Sequence, residues 1–200
     1  VIRGGQIACH AVALAMREDL RKILYHETTI LARLDELAEQ ITRDYLGKEL
    51  SVLVILHGGM ILMADLLRRV HIPLRIETLV ASSYHGGTSS SGEVKFGATP
   101  LPDVEGRHVL ILDDILDTGL TLKAVKERLI REGGAAGVKT CVLLSKKKDR
   151  SVEVEADYTG FEIQNEFVVG YGLDYDGRYR NLPFIGVLKD EVIRAGSARS

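Results

Sequence analysis

The sequence predicts an α/β protein with a central, mainly parallel, twisted sheet flanked by helices. Two observations carry this expectation. Short apolar runs rich in β-branched residues, at 51–56, 74–80, 109–112 and 138–144, read as strands covered on both faces. Segments with helical spacing lie between the first pair and between the last pair, and such alternation gives a parallel sheet whose ligands gather at the carboxyl ends of the strands. A chain of 200 residues suits one compact domain, expected to span 1–200.

Taken in order, residues 1–6 show no periodicity, while 8–24 are rich in helix formers with Ala13, Met16, Leu20 and Leu24 on one side. A short extra helix is expected there, within an N-terminal extension covering 1–22. Ile30, Leu34, Leu37, Ile41 and Tyr45 form a clearer stripe, opened by Glu27-Thr28-Thr29 with a capping hydroxyl and ended by Gly47. After the strand at 51–56, His57-Gly58-Gly59 is a break, and 60–70 is a helix with Ile61, Ala64, Leu66 and Leu67 available for packing. Residues 81–97, rich in Gly and Ser, are the longest stretch without apolar periodicity. Inside a domain, a loop of that length is usually a lid or binding loop. Leu122, Val125, Leu129 and Ile130 make the apolar face of a later helix that Gly133-Gly134 stop.

Composition narrows the partners. A formal net charge of -2 argues against an extended nucleic-acid footprint and leaves room for a local basic pocket that takes a small anion. Cys9 and Cys141 are the only cysteines, and Cys141 lies in an apolar run, as a buried thiol in a reducing compartment would. No apolar stretch is long enough to cross a bilayer and nothing at the start has the layout of a signal peptide. A cytoplasmic location is therefore expected, without membrane or nucleic-acid partners.

The run Val109-Leu-Ile-Leu-Asp-Asp-Ile-Leu-Asp-Thr-Gly-Leu-Thr-Leu122 organises the rest. Asp113 and Asp114 fall where the strand should end, Asp117 lies in the turn, and Thr118-Gly119-Leu120-Thr121 opens the helix. A helix start exposes unpaired N–H groups and the positive end of its dipole, and Gly119 admits a ligand close to the backbone, so 118–121 is a cradle for a monophosphate. Carboxylates beside an anion site need another task. Adjacent acids can accept hydrogen bonds from a sugar diol, and an acid on the turn can handle a proton. Helix capping alone would use one acid and leave two unexplained.

This segment resembles the phosphoribosyl-pyrophosphate motif of type I phosphoribosyltransferases: two acids, two apolar residues, then Asp-Thr/Ser-Gly-x-Thr. The resemblance implies that fold, with a small hood formed by N- and C-terminal segments. It also implies that Asp113 and Asp114 hold the ribose hydroxyls, that 117–121 bind the 5'-phosphate, and that Asp117 is catalytic, attending the ring proton of a purine. Leu56-His57-Gly58-Gly59 matches in position the family's pyrophosphate loop, which binds through backbone N–H groups. His57 stands where the family usually carries Lys; the main-chain contact survives that change, and the permanent charge does not. Ser82-Ser83-Tyr84, followed by Gly and Ser, resembles the mobile loop that closes over the reaction, and closure excludes water from a cationic sugar.

The end of the chain bears on the base. Residues 143–150, 157–163 and the run Phe167-Val-Val-Gly-Tyr-Gly-Leu-Asp-Tyr-Asp176 resemble hypoxanthine-guanine phosphoribosyltransferases, and 157–200 is expected to be the purine-binding hood. Lys146 at a strand end can donate to a 6-oxo group, which an adenine amino group could not accept. Phe167 offers a stacking face, Val168 its backbone, Asp174 an oxygen ligand for Mg²⁺ on pyrophosphate, and Arg180 a partner for pyrophosphate oxygens. By themselves Lys146 to Lys148 would be a solvated charge run, and Phe167 with Val168 core residues. The resemblance implies Mg²⁺ as cofactor, with Asp113 and Asp114 as further candidate ligands, phosphoribosyl pyrophosphate and a 6-oxopurine as substrates, and a homodimer or homotetramer. Two competing classes are a type I transferase for another base, such as xanthine, and a non-catalytic nucleotide-sensing regulator.

Overall fold

The computed structural model describes residues 16–83, 94–97, 100–150 and 152–197. The chain divides into two compact units, one of Leu31–Asn165 and one of Val1–Ile30 with Glu166–Ser200.

The larger unit is built on a six-stranded sheet. Its strands are β2 (Leu50–Leu56), β3 (Leu74–Ser83), β4 (Val94–Phe96), β5 (His108–Leu116), β6 (Gly137–Lys146) and β7 (Tyr158–Ile163), in the order β4-β3-β2-β5-β6-β7. All neighbours are parallel except the edge pair β3 and β4. Helix α2 (Gly59–Leu67) links β2 to β3, and α3 (Leu120–Arg131) links β5 to β6. Helix α1 (Glu27–Asp44) precedes β2, and its stripe Ile30, Leu34, Leu37 and Ile41 is fully buried. Leu53, Ile55, Leu79, Val109, Ile111, Leu122, Val125, Leu129 and Val142 form one core cluster, so the β-branched and Leu-rich runs are covered as their composition requires. The outer strand β7 leaves carbonyls on its free edge, and Arg33 of α1 answers them, donating to Thr159 O and Gly160 O at 2.9 Å each.

The order of the strands locates a ligand site. From β2 the chain crosses by α2 to β3 on one side, whereas β5 lies on the other side of β2 and leads outward to β6 and β7. Between β2 and β5 the direction of winding reverses, which opens a crevice at their carboxyl ends. Those ends carry His57-Gly58-Gly59 and Asp113 to Thr121.

The second unit holds a three-stranded antiparallel sheet, β1 (Leu20–Tyr25), β9 (Ile185–Leu188) and β8 (Val168–Val169), with β9 in the middle. Leu20, Val169, Tyr179, Leu182, Phe184 and Leu188 form its core. Helix α4 (Asp190–Ser197) follows β9.

The sequence reading is corrected in four places. Residues 16–18 are helical, but the helix expected to reach Leu24 gives way to β1. The buried strand β9 needs hydrogen-bonding partners on both sides, and this tertiary demand overrides a mild local helix preference. Strand β5 does not stop before the acids. It leaves β2 after Leu112 yet stays paired with β6 through Asp113, Ile115 and Leu116. Residues 81–83 and 94–96 are not loop but the paired stem of β3 and β4, with Ala81 opposite Phe96 and Ser83 opposite Val94. Finally, residues 158–163, read with the C-terminal segment, are the edge strand of the large sheet.

Candidate active site

Strand β5 sets the site. Because it parts from β2 at Leu112, Asp113 and Asp114 sit on a strand held on one side only, where the crevice opens. Asp113 is 8% exposed and its Oδ1 accepts the Asp114 N–H at 3.0 Å. Burial, with the adjacent Asp114 charge adding to it, pushes the Asp113 carboxyl well above the usual range. A side chain at Gly58 would overlap the Asp114 carboxylate, with Cβ 1.8 Å from Oδ2; at Gly59, Cβ would lie 3.2 Å from Leu112 O. The loop after β2 and the acids of β5 share one space, so a side chain at Gly58 would displace the Asp114 carboxylate. The peptide Leu56–His57 is cis, and His57 is exposed.

The turn after β5 is shaped by Gly119, which caps α3 with φ +82°. A Cβ there would meet Val154 Cγ1 at 2.2 Å, so both backbone and packing exclude a side chain. Thr118 Oγ1 lies 3.5 Å from the Leu120 N–H, and Thr118, Leu120 and Thr121 are half-buried around the helix start.

Asp117 is held by cations. Lys146 Nζ, at the end of β6, donates to its Oδ2 at 2.8 Å, and the Lys148 ammonium contacts Oδ1. Burial works to raise the Asp117 carboxyl, but the hydrogen bonds and charge of the two lysines outweigh it, so the group lies below the usual carboxylate range. The structure thus brings the predicted acid and the predicted 6-oxo donor together. The pair presents an acceptor beside a donor, complementary to a molecular edge carrying an N–H beside a carbonyl.

In the second unit, Phe167 is 41% exposed and meets Tyr175 edge to face, with ring centroids 5.4 Å apart. Val168 is buried in β8. Asp174 Oδ1 pairs with Arg180 Nη2 at 2.8 Å, its Oδ2 accepts the Gly177 N–H, and Arg180 Nη1 donates to Gly172 O at 2.6 Å. Ser83 ends β3, and Tyr84 lies outside the described residues. Among the described residues, no cluster of His, Cys, Asp and Glu is arranged as a closed metal cage. The carboxylate oxygens of Asp113, Asp114 and Asp174 are nevertheless hard donors of the kind Mg²⁺ takes, one or two at a time, alongside substrate phosphates.

Sequence reasoning missed Lys148, a charged residue in a charged run, and Arg150, whose guanidinium donates to Ser145 Oγ at 2.8 Å and Lys146 O at 3.2 Å. The signal available for Lys148 was its spacing of two residues from Lys146 just past a strand.

The phosphoribosyl transferase domain model matches residues 21–176. A hypoxanthine-guanine phosphoribosyltransferase of Streptococcus pneumoniae is 46% identical over 177 residues, 88% of this chain and 98% of that protein. The crystal structure of a Staphylococcus aureus hypoxanthine phosphoribosyltransferase superposes with TM-score 0.83 at 44% identity, covering 89% of this chain and 96% of the other. A solved structure of Trypanosoma cruzi hypoxanthine phosphoribosyl transferase, from work on the role of its C-terminal region in oligomeric state and enzymatic activity, gives TM-score 0.83 at 39% identity, covering 90% of this chain and 97% of the other. With a domain match across most of its length and relatives this similar over nearly their whole length, the chain belongs to the phosphoribosyl transferase domain family, among the hypoxanthine-guanine phosphoribosyltransferases.

Proposed function

We propose that this chain transfers the 5-phosphoribosyl group of phosphoribosyl pyrophosphate to N9 of hypoxanthine or guanine, giving IMP or GMP and pyrophosphate in purine salvage. The observation that supports it best is the Lys146–Asp117 pair standing beside the acidic turn at the reversal of the sheet.

In this reading Asp113 and Asp114 accept hydrogen bonds from the ribose diol, and the amides and hydroxyls of Thr118 to Thr121 seat the 5'-phosphate. The backbone at His57-Gly58 takes the pyrophosphate. The N7–C6=O edge of the purine meets the Lys146–Asp117 pair, its 6-oxo oxygen accepting from Lys146 and its N7 proton going to Asp117. A 6-amino group offers Lys146 nothing to bond, which sets the preference for 6-oxopurines. By the family resemblance Phe167 is assigned a stacking face, Val168 a backbone contact and Arg180 a cation for pyrophosphate. Ser83, at the end of β3, and Tyr84, outside the described residues, are assigned to closure over the reaction. Asp113 and Asp114, and separately Asp174, are the residues that would hold Mg²⁺. When bound with pyrophosphate the ion neutralises charge on the leaving group. Catalysis then rests on positioning and charge stabilisation around a cationic sugar.

The 1–200 chain acts as one phosphoribosyltransferase domain in the cytoplasm, as a homodimer or homotetramer. Among the described residues no helix is long and apolar enough to cross a membrane. The test is nucleotide formation from the donor and Mg²⁺ with hypoxanthine, guanine, xanthine, adenine and uracil in turn. Product from hypoxanthine or guanine, and none from adenine or uracil, is expected; no product from either 6-oxopurine would overturn the reading.

A further inference from the structure

Asp117 has a second cation that the reaction as described does not use. Lys148 and Lys146 each take one oxygen of the same carboxylate. The arrangement is built by the turn between them. The Lys147 N–H donates to Ile163 O at 2.8 Å and its side chain pairs outward with Glu162, fixing the intervening residue on β7. The Lys148 N–H folds back onto Lys146 O at 3.2 Å, and Arg150 Nη2 donates to the same carbonyl. The two ammonium groups are thereby directed to one side of the strand end, and Lys148 keeps only 25% of its side chain exposed.

We propose that Lys148 is a positioning residue of the base subsite, a standing counter-ion for Asp117 that frees Lys146 to be engaged by the base. This rests on the roles given above to Asp117 and Lys146. With one lysine only, drawing Lys146 toward a 6-oxo group would leave a half-buried carboxylate without its cation, and base binding would carry that cost. With two, the carboxylate keeps a partner on Oδ1 and turns Oδ2 to the purine N7 proton. Lys148 touches no reacting atom and acts through Asp117.

The test is steady-state kinetics on the full chain for K148Q, K148R, D117N and D117N/K148Q, with saturating donor and Mg²⁺ and varied hypoxanthine or guanine. K148Q is expected to raise the base KM about tenfold, with donor KM changed by less than about twofold, and K148R to restore most of it. In the D117N background K148Q should add nothing, since its effect runs through that carboxylate. Equal base KM in wild type and K148Q, a full additional loss in the double mutant, or parallel rises in donor and base KM would each overturn the proposal. Should K148Q fold poorly, K148M takes its place, with the same rise in base KM expected and an unchanged base KM overturning the proposal; a tenfold loss in a folded K148R also counts against it. A wild type inactive on both 6-oxopurines sinks the reading of the site as well; an active wild type indifferent to K148Q sinks only the role of Lys148.

Discussion

Asp113 carries opposite demands from folding and from binding. Buried beside Asp114, its carboxyl keeps its proton to higher pH in the folded chain than in the unfolded chain, which releases it at about pH 4. The folded state binds more protons, so its stability falls as pH rises from about 4 through the raised folded-state value. An amide in place of this carboxyl keeps the oxygen that accepts the Asp114 N–H and never ionises. D113N should therefore melt at or above the wild-type temperature at pH 8, lose that pH slope, and bind the donor at least about tenfold more weakly. Thermal melts at pH 5 and 8 with donor titrations check this; a less stable D113N at pH 8 would contradict it. The gathering of Asp113, Asp114 and Asp117 at one turn was legible because it is local: three acids and two threonines around a glycine fall in one short run between a strand and a helix. The grip of Lys148 on Asp117 was not, because a run of lysines carries no direction until the Lys147 N–H is tied to Ile163 O.

At the scale of elements, the join between β5 and α3 depends on Gly119. G119A would force φ +82° on an alanine and drive its Cβ into Val154, so a loss of about 2 kcal/mol or more is expected in urea denaturation, together with weaker binding of inorganic phosphate. A fully stable G119A would refute that description of the turn. Strands β2, β3, β5 and β6 were visible as apolar runs, and α1, α2 and α3 as helical stripes, because burial on one or both faces writes itself into local periodicity. Strand β1 was hidden because its reason to be a strand lies in β9, far along the chain. The extension of β5 past Leu112 was hidden for a related reason. Its acids read as a strand end, while the pairing that continues the strand is supplied by β6.

For the whole molecule, the run of parallel strands from β3 to β7 explains both where the site forms and what stays inert. Cys141, fully buried on β6, has its thiol pushed up to about 12 by burial and is a packing residue, as its apolar run suggested. The larger unit also exposes apolar side chains that its own core does not claim: Met60 on α2 at 44%, and Ile76 and Val80 on one face of β3 at 52% and 39%. If subunits meet there, I76D should shift the sedimentation coefficient toward a monomer with the melting temperature of the chain otherwise retained at high concentration. An unchanged oligomer in I76D would move the contact elsewhere.

The central claim is that one acidic turn at the reversal of the sheet receives a phosphorylated sugar. A crystal structure with IMP or GMP bound tests it most directly. The account predicts the 5'-phosphate on the amides of Thr118 to Thr121, the ribose hydroxyls on Asp113 and Asp114, and the purine 6-oxo group on Lys146. A nucleotide seated with its phosphate away from that turn would contradict it.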